Sequence, residues 1–83
     1  MTEYRLHRYI AAYEKKGDEH IRDIEFVLVP SLGFLQALFN APDDNPMFDA
    51  FAINTRAAEQ LAPYISEQFD LDLFDYFLEC DSA

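Results

Sequence analysis

Residues 69–80 read FDLDLFDYFLEC, and the phase of this stretch decides the fold. Phe69, Leu71 and Leu73 share one parity, while Phe74, Tyr76, Leu78 and Cys80 share the other. Side chains alternate across a strand, so one unbroken strand cannot bury both sets on the same face. The alternation must therefore slip between Leu73 and Phe74. The spacing predicts a turn or a single helical turn over 69–73 and a strand over 74–80. In that strand Phe74, Tyr76, Leu78 and Cys80 face a core, and Asp75, Phe77 and Glu79 face away. The acids are then held by a sheet, which limits the freedom lost when a partner binds.

Moving back along the chain, Asn54 or Thr55 caps a helix whose Ala58, Leu61 and Ile65 form its apolar stripe. Pro63 lies inside that pattern and predicts a break near Ala62. Before it, FDAFAI (48–53) reads as a short strand with Phe51 and Ile53 on one face. APDDNPM (41–47) is a loop held by two prolines. Ser31 is an N-cap for a short helix with Leu32, Leu35, Leu38 and Phe39 at helical spacing, ending near Asn40 because Pro42 bars continuation.

At the other end, residues 3–14 and 20–29 read as a β-hairpin around KKGD (15–18). A three-residue loop at Lys16, Gly17 and Asp18 places Lys15 opposite Glu19, Glu14 opposite His20, Ile10 opposite Ile24 and Leu6 opposite Leu28. Arg8 interrupts the inward row Tyr4, Leu6, Ile10, so either the strand bulges there or Arg8 reaches past an edge. The element order is ββαβαβ: a single α+β domain over 1–83, with a mostly antiparallel sheet and two short helices on one face.

Eighty-three residues suit one domain, and eight Phe and five Tyr supply large apolar area for a small core. At 51% hydrophobic the chain is not composed like a disordered one. The net charge is −10, and it is unevenly placed. Residues 1–41 carry six acids and five bases (net −1); residues 42–83 carry ten acids and one base, Arg56 (net −9). Such a field repels nucleic acid and anionic membranes and attracts basic partners. The competing reading is that the acids serve solubility alone. One cysteine, Cys80, cannot form an internal disulfide, which fits a reducing compartment. The opening MTEYRLHRY lacks the apolar region of a signal peptide, and no apolar run is long enough to span a bilayer, so a cytoplasmic location is expected.

The residues carry no pattern of a reaction. DDNPMFD (43–49) lacks the alternating ligands, central Gly and terminal Glu of a calcium loop. His7 and His20 fall on different strands without metal-ligand spacing. Cys80 has no nearby His and reads as a small buried hydrophobe. Ser31 and Ser66 read as cap and helix-surface residues. Asp70 and Asp72 could act as an acid–base pair only within a pocket. Gly17 and Gly33 make no phosphate loop. We therefore expect no enzyme, no catalytic residue, no metal and no cofactor.

What the residues do support is a protein-binding module. Acids of the second half are interleaved with Tyr64, Phe69, Phe74, Tyr76 and Phe77, and charge steers while aromatics anchor. The core claims Phe74 and competes for Tyr76, whose hydroxyl needs a polar partner. The candidate partner-binding residues are Asp70, Asp72, Asp75, Phe77 and Glu79, with Asp43, Asp44 and Asp49 as a second patch.

The segments YRLHRYIAAYEKKGDEHI (4–21), LQALFNAPDDNPMFDAFAI (35–53) and FDYFLECD (74–81) resemble small bacterial immunity proteins of the colicin-immunity type, including those of contact-dependent growth inhibition systems. The resemblance spans about residues 4–81 and rests on aromatic, acidic and proline positions. It implies a cytosolic inhibitor, with no shared catalytic residues, that binds and blocks one cognate toxin domain. It also implies a basic, nuclease-type toxin as the partner; the acidic charge speaks against nucleic acid and membrane as partners, and a monomer is favoured. Two alternatives stay open. One is an acidic nucleic-acid mimic that inhibits a DNA- or RNA-binding enzyme, separable by whether a large toxin gene lies directly upstream. The other is a structural or adaptor subunit, addressed by light scattering.

Overall fold

The computed structural model describes residues 6–82. Its elements run β1 (Leu6–Glu14), β2 (His20–Glu25), α1 (Leu32–Leu38), β3 (Phe51–Ala52), α2 (Thr55–Leu61) and β4 (Phe74–Ser82). A short 3-10 turn, Ala62–Tyr64, follows α2. The order is the expected ββαβαβ, and the fold is α+β. The strands form one antiparallel sheet in the order β2-β1-β4-β3.

Local chemistry sets the helix ends as expected. The Ser31 hydroxyl accepts from the Phe34 N–H, and the Asn54 side chain accepts from the Ala57 N–H, so Asn54 rather than Thr55 is the cap. Pro63 ends α2 and leaves the chain a 3-10 turn. Residues 70–74 make the single tight turn the phase slip demands: the Leu73 and Phe74 N–H groups both donate to the Asp70 carbonyl.

One core lies between the helices and one face of the sheet. Ile10 and Ala12 of β1, Ile24 of β2, and Tyr76 and Leu78 of β4 meet Leu35 and Leu38 of α1 and Ala57, Ala58 and Leu61 of α2. Truncating a fully buried member such as Leu35 or Leu61 to Ala should cost about 2–5 kcal/mol.

The central pairing joins β1 and β4, in register without a shift from Leu6↔Ser82 to Glu14↔Phe74. Arg8 therefore sits on no bulge of that ladder. Its guanidinium reaches instead to the 42–46 loop, where Nη2 donates to the Pro46 carbonyl at 2.8 Å. Among the described residues its buried Nε has no partner. Residues 3–5 of the expected first strand, Tyr4 among them, lie outside the described residues.

The hairpin departs from expectation in two places. The expected register holds from Tyr9↔Glu25 to Ala12↔Arg22, with Ile10 opposite Ile24, but then shifts so that Tyr13 faces His20. Ile21 is the extra residue of a bulge. The loop is accordingly four residues, Lys15 to Asp18, with Gly17 and Asp18 both at positive φ. Glu14, not Lys15, stands opposite Glu19, donating its N–H to the Glu19 carbonyl at 2.7 Å. The second departure is at the far end. β2 stops at Glu25, because the Val27 and Leu28 N–H groups turn to the Tyr64 carbonyl rather than to β1. Leu6 pairs with Ser82, and no Leu6–Leu28 pair forms.

Candidate protein-interaction face

With the helices on one side, the alternation of β1 and β4 places a second set of side chains on the other. His7, Tyr9, Ala11 and Tyr13 alternate with the core residues Ile10 and Ala12. Asp75, Phe77, Glu79 and Asp81 alternate with Tyr76 and Leu78. Asp23 and Glu25 join them from β2, opposite Ala11 and Tyr9. This open face is an aromatic band set among carboxylates.

The aromatic rings touch in sequence across the strands. Tyr13 lies edge-on to Phe77, with centroids 5.6 Å apart and planes at 82°, and His20 packs on Tyr13 at 5.2 Å. Farther along β1, His7 stacks on Tyr9 at 4.9 Å. Ala11 is the small residue between them, opposite Asp23 on one side and Phe77 on the other, and it is only 2% exposed. Phe77 is half-buried. It packs against the Tyr13 ring, and part of it remains on the surface.

Most of the carboxylates have partners. His20 Nε2 lies 2.8 Å from Asp23, and His7 Nε2 contacts Glu25. The Tyr9 hydroxyl donates to Asp81 at 3.0 Å. Burial first, and then this bond, push the Tyr9 hydroxyl up to about 12. Lys15 Nζ donates to Asp75 at 3.0 Å. Arg56 is the one base within residues 42–83, but a lysine from the hairpin loop in the first half comes to rest on the last strand. Among the described residues the Glu79 carboxylate makes no ion pair or hydrogen bond. Burial, followed by the nearby Asp81 and Asp23 carboxylates, raises its pKa above the ordinary carboxylate value.

A concavity of about 330 Å³ opens on this face, lined by Tyr13, Asp18, Ala50, Asp75, Phe77 and Glu79. Its apolar floor comes from the two rings and Ala50, at the start of the β3 edge. Its rim carries three carboxylates.

The eight candidate residues do not form one surface. Asp75, Phe77 and Glu79 share the open face, and Asp49 directly precedes Ala50 at its edge. Asp70 and Asp72 lie in the turn before β4. There the Asp70 carboxylate accepts from the Asp72 N–H at 3.3 Å, and Asp72 borders a groove with Lys15 and Lys16. Asp43 and Asp44 belong to the loop tied to α1, whose Gln36 side chain donates to the Asp43 and Asn45 carbonyls. Of the aromatics weighed as anchors, Tyr76 is buried, and Phe69 and Phe74 pack against the core. The sequence reading missed the contribution of the first half: His7, Tyr9, Tyr13, His20, Asp23 and Glu25. The signal was present, because inward Ile10 and Ala12 require outward Tyr9, Ala11 and Tyr13.

Among the described residues no three His, Cys, Asp or Glu side chains converge as metal ligands, and no helix is long and apolar enough to cross a membrane. Comparison with curated proteins and with solved structures finds no match. A family model does match, over residues 7–79, from the second residue of β1 into β4. The chain therefore belongs to the family described as Domain of unknown function (DUF7683).

Proposed function

We propose that this domain is an immunity-type inhibitor that binds a cognate basic toxin domain, of nuclease type, in the bacterial cytoplasm. It works by occupying the toxin and performs no chemistry of its own. The observation that carries the reading is the open sheet face, where Tyr9, Tyr13 and Phe77 lie among Asp23, Glu25, Asp75, Glu79 and Asp81. The strands hold these groups, so little order is lost on binding, and the net charge of −10 draws a basic surface to them.

The test is co-expression with the protein encoded immediately upstream. The expected result is restored growth and a stoichiometric complex that survives purification. If the upstream product is not toxic, but the domain inhibits a DNA- or RNA-binding enzyme competitively with nucleic acid, the nucleic-acid-mimic reading replaces this one.

A further inference from the structure

We infer that the concavity floored by Tyr13 and Phe77 and rimmed by Asp75 and Glu79 receives an arginine side chain of the partner protein. The inference rests on the proposed binding of a basic protein and names the group that anchors it. A guanidinium is planar, lies over aromatic rings, and meets carboxylates through a fork of N–H donors. The concavity offers both kinds of surface together: the Tyr13 and Phe77 rings with Ala50, and the carboxylates of Asp18, Asp75 and Glu79.

The same strand already holds one such arrangement on its other face. The Arg22 guanidinium lies 5.5 Å from the centroid of the Phe74 ring. Its Nε and Nη2 both donate to Glu67 Oε1, at 3.0 and 2.6 Å. Ring and carboxylate thus clasp an arginine within the chain. Three residues along, on the open side, Phe77 with Asp75 and Glu79 presents the same two components outward. A cation is also shown on this rim, because the Lys15 ammonium sits on Asp75. Lys15 therefore competes with an incoming guanidinium at Asp75, whereas the Glu79 carboxylate has no ion pair among the described residues, and the nearby His20 offsets its raised pKa only in part. Burial and like charges have raised the Glu79 pKa, and a guanidinium beside it would reverse that repulsion.

The probe is blocked arginine (N-acetyl-arginine methylamide), titrated into the protein and followed by amide chemical shifts, with blocked lysine and blocked citrulline as controls. Saturable shifts are expected at Tyr13, Ala50, Asp75, Phe77 and Glu79, larger for arginine than for lysine and absent for neutral citrulline. Phe77→Leu keeps an apolar side chain and removes the ring; it should weaken arginine binding about two- to fivefold. Glu79→Gln should weaken it as well, and Lys15→Ala should strengthen it. Thermal melting of each variant identifies any that has lost its fold, and Glu79→Gln alone then decides. Shifts spread equally over Asp43, Asp44, Asp70 and Asp72, or a matching response to citrulline, overturn the proposal. If a cognate toxin is bound with unchanged affinity by Phe77→Leu and Glu79→Gln, the immunity reading stands and the arginine site falls. If arginine binds as described while the upstream product is neither toxic nor bound, the site stands and the immunity reading falls.

Discussion

The hydroxyl of Tyr76 accepts a hydrogen bond from the backbone N–H of Asp70 at 3.0 Å, from a side chain that is only 2% exposed. This bond ties the acidic turn to the core. It also explains how a large polar-tipped residue occupies the inner face of β4: the ring packs edge-on against Phe69 at 4.8 Å, and its tip meets a donor freed by the turn. Tyr76→Phe should therefore lose about 0.5–1.5 kcal/mol, seen as a melting temperature lower by roughly 2–12 °C. An unchanged melting temperature would show that the bond contributes nothing.

Lys15 and Asp75 are 60 residues apart in sequence, and their side chains are 50% and 41% exposed. An ion pair so open to water is worth little. A double-mutant cycle with Lys15→Ala and Asp75→Asn should give a coupling of about 0.2–1 kcal/mol in low salt, fading as salt is added. A coupling that persists in high salt would mean that the pair is better shielded than its exposure indicates.

The two acidic patches can be separated by charge-matched variants. Asp75→Asn with Glu79→Gln, and Asp43→Asn with Asp44→Asn, each remove two charges, so general steering falls equally. Extra loss of affinity should follow the open-face pair, about 2–5 kcal/mol where a carboxylate meets a buried cation and far less at an exposed rim. Equal loss in both variants would return the acids to a diffuse steering role. Loss confined to Asp43 and Asp44 would move the interface to the α1 side.

Association with the basic partner should be fast and salt-sensitive, approaching about 10⁸–10⁹ M⁻¹s⁻¹ at low ionic strength. Stopped-flow rates at several salt concentrations measure this directly. A rate indifferent to salt would make the net charge a solubility feature.

The raised pKa of Glu79 has a definite sign in stability. A carboxyl whose folded pKa lies above its unfolded value binds its proton more readily in the folded state. Its stabilising contribution is complete below the ordinary value and is lost as pH rises through the folded one. Glu79→Gln should therefore be more stable than the parent at neutral pH, with the difference closing as pH falls through that window. Melting curves recorded at a series of pH values test the convergence, and parallel curves would refute it.

Much of the local structure was legible in the residues. The slip between Leu73 and Phe74 separated turn from strand because side-chain alternation is a property of any extended backbone. Ser31, Asn54 and Pro63 marked helix boundaries through hydrogen bonds and steric limits confined to a few neighbouring residues. The outward placement of Asp75, Phe77 and Glu79 followed from the same parity. Periodicity does not say which strand lies beside which, and the long β1–β4 ladder pairs residues 60 to 76 positions apart, from Glu14↔Phe74 to Leu6↔Ser82. That ladder brings Lys15 to Asp75, Tyr9 to Asp81 and Tyr13 to Phe77, so it turns two separately acidic and aromatic segments into one face. The bulge at Ile21 was hidden for a related reason: pairing Ile10 with Ile24 satisfies the pattern with either loop length, and the positive φ of Gly17 and Asp18 selects the longer one. Alternation, caps and prolines act within a few residues and can be read along the chain; strand neighbours and ion pairs arise from the packing of the whole and appear only once it has folded.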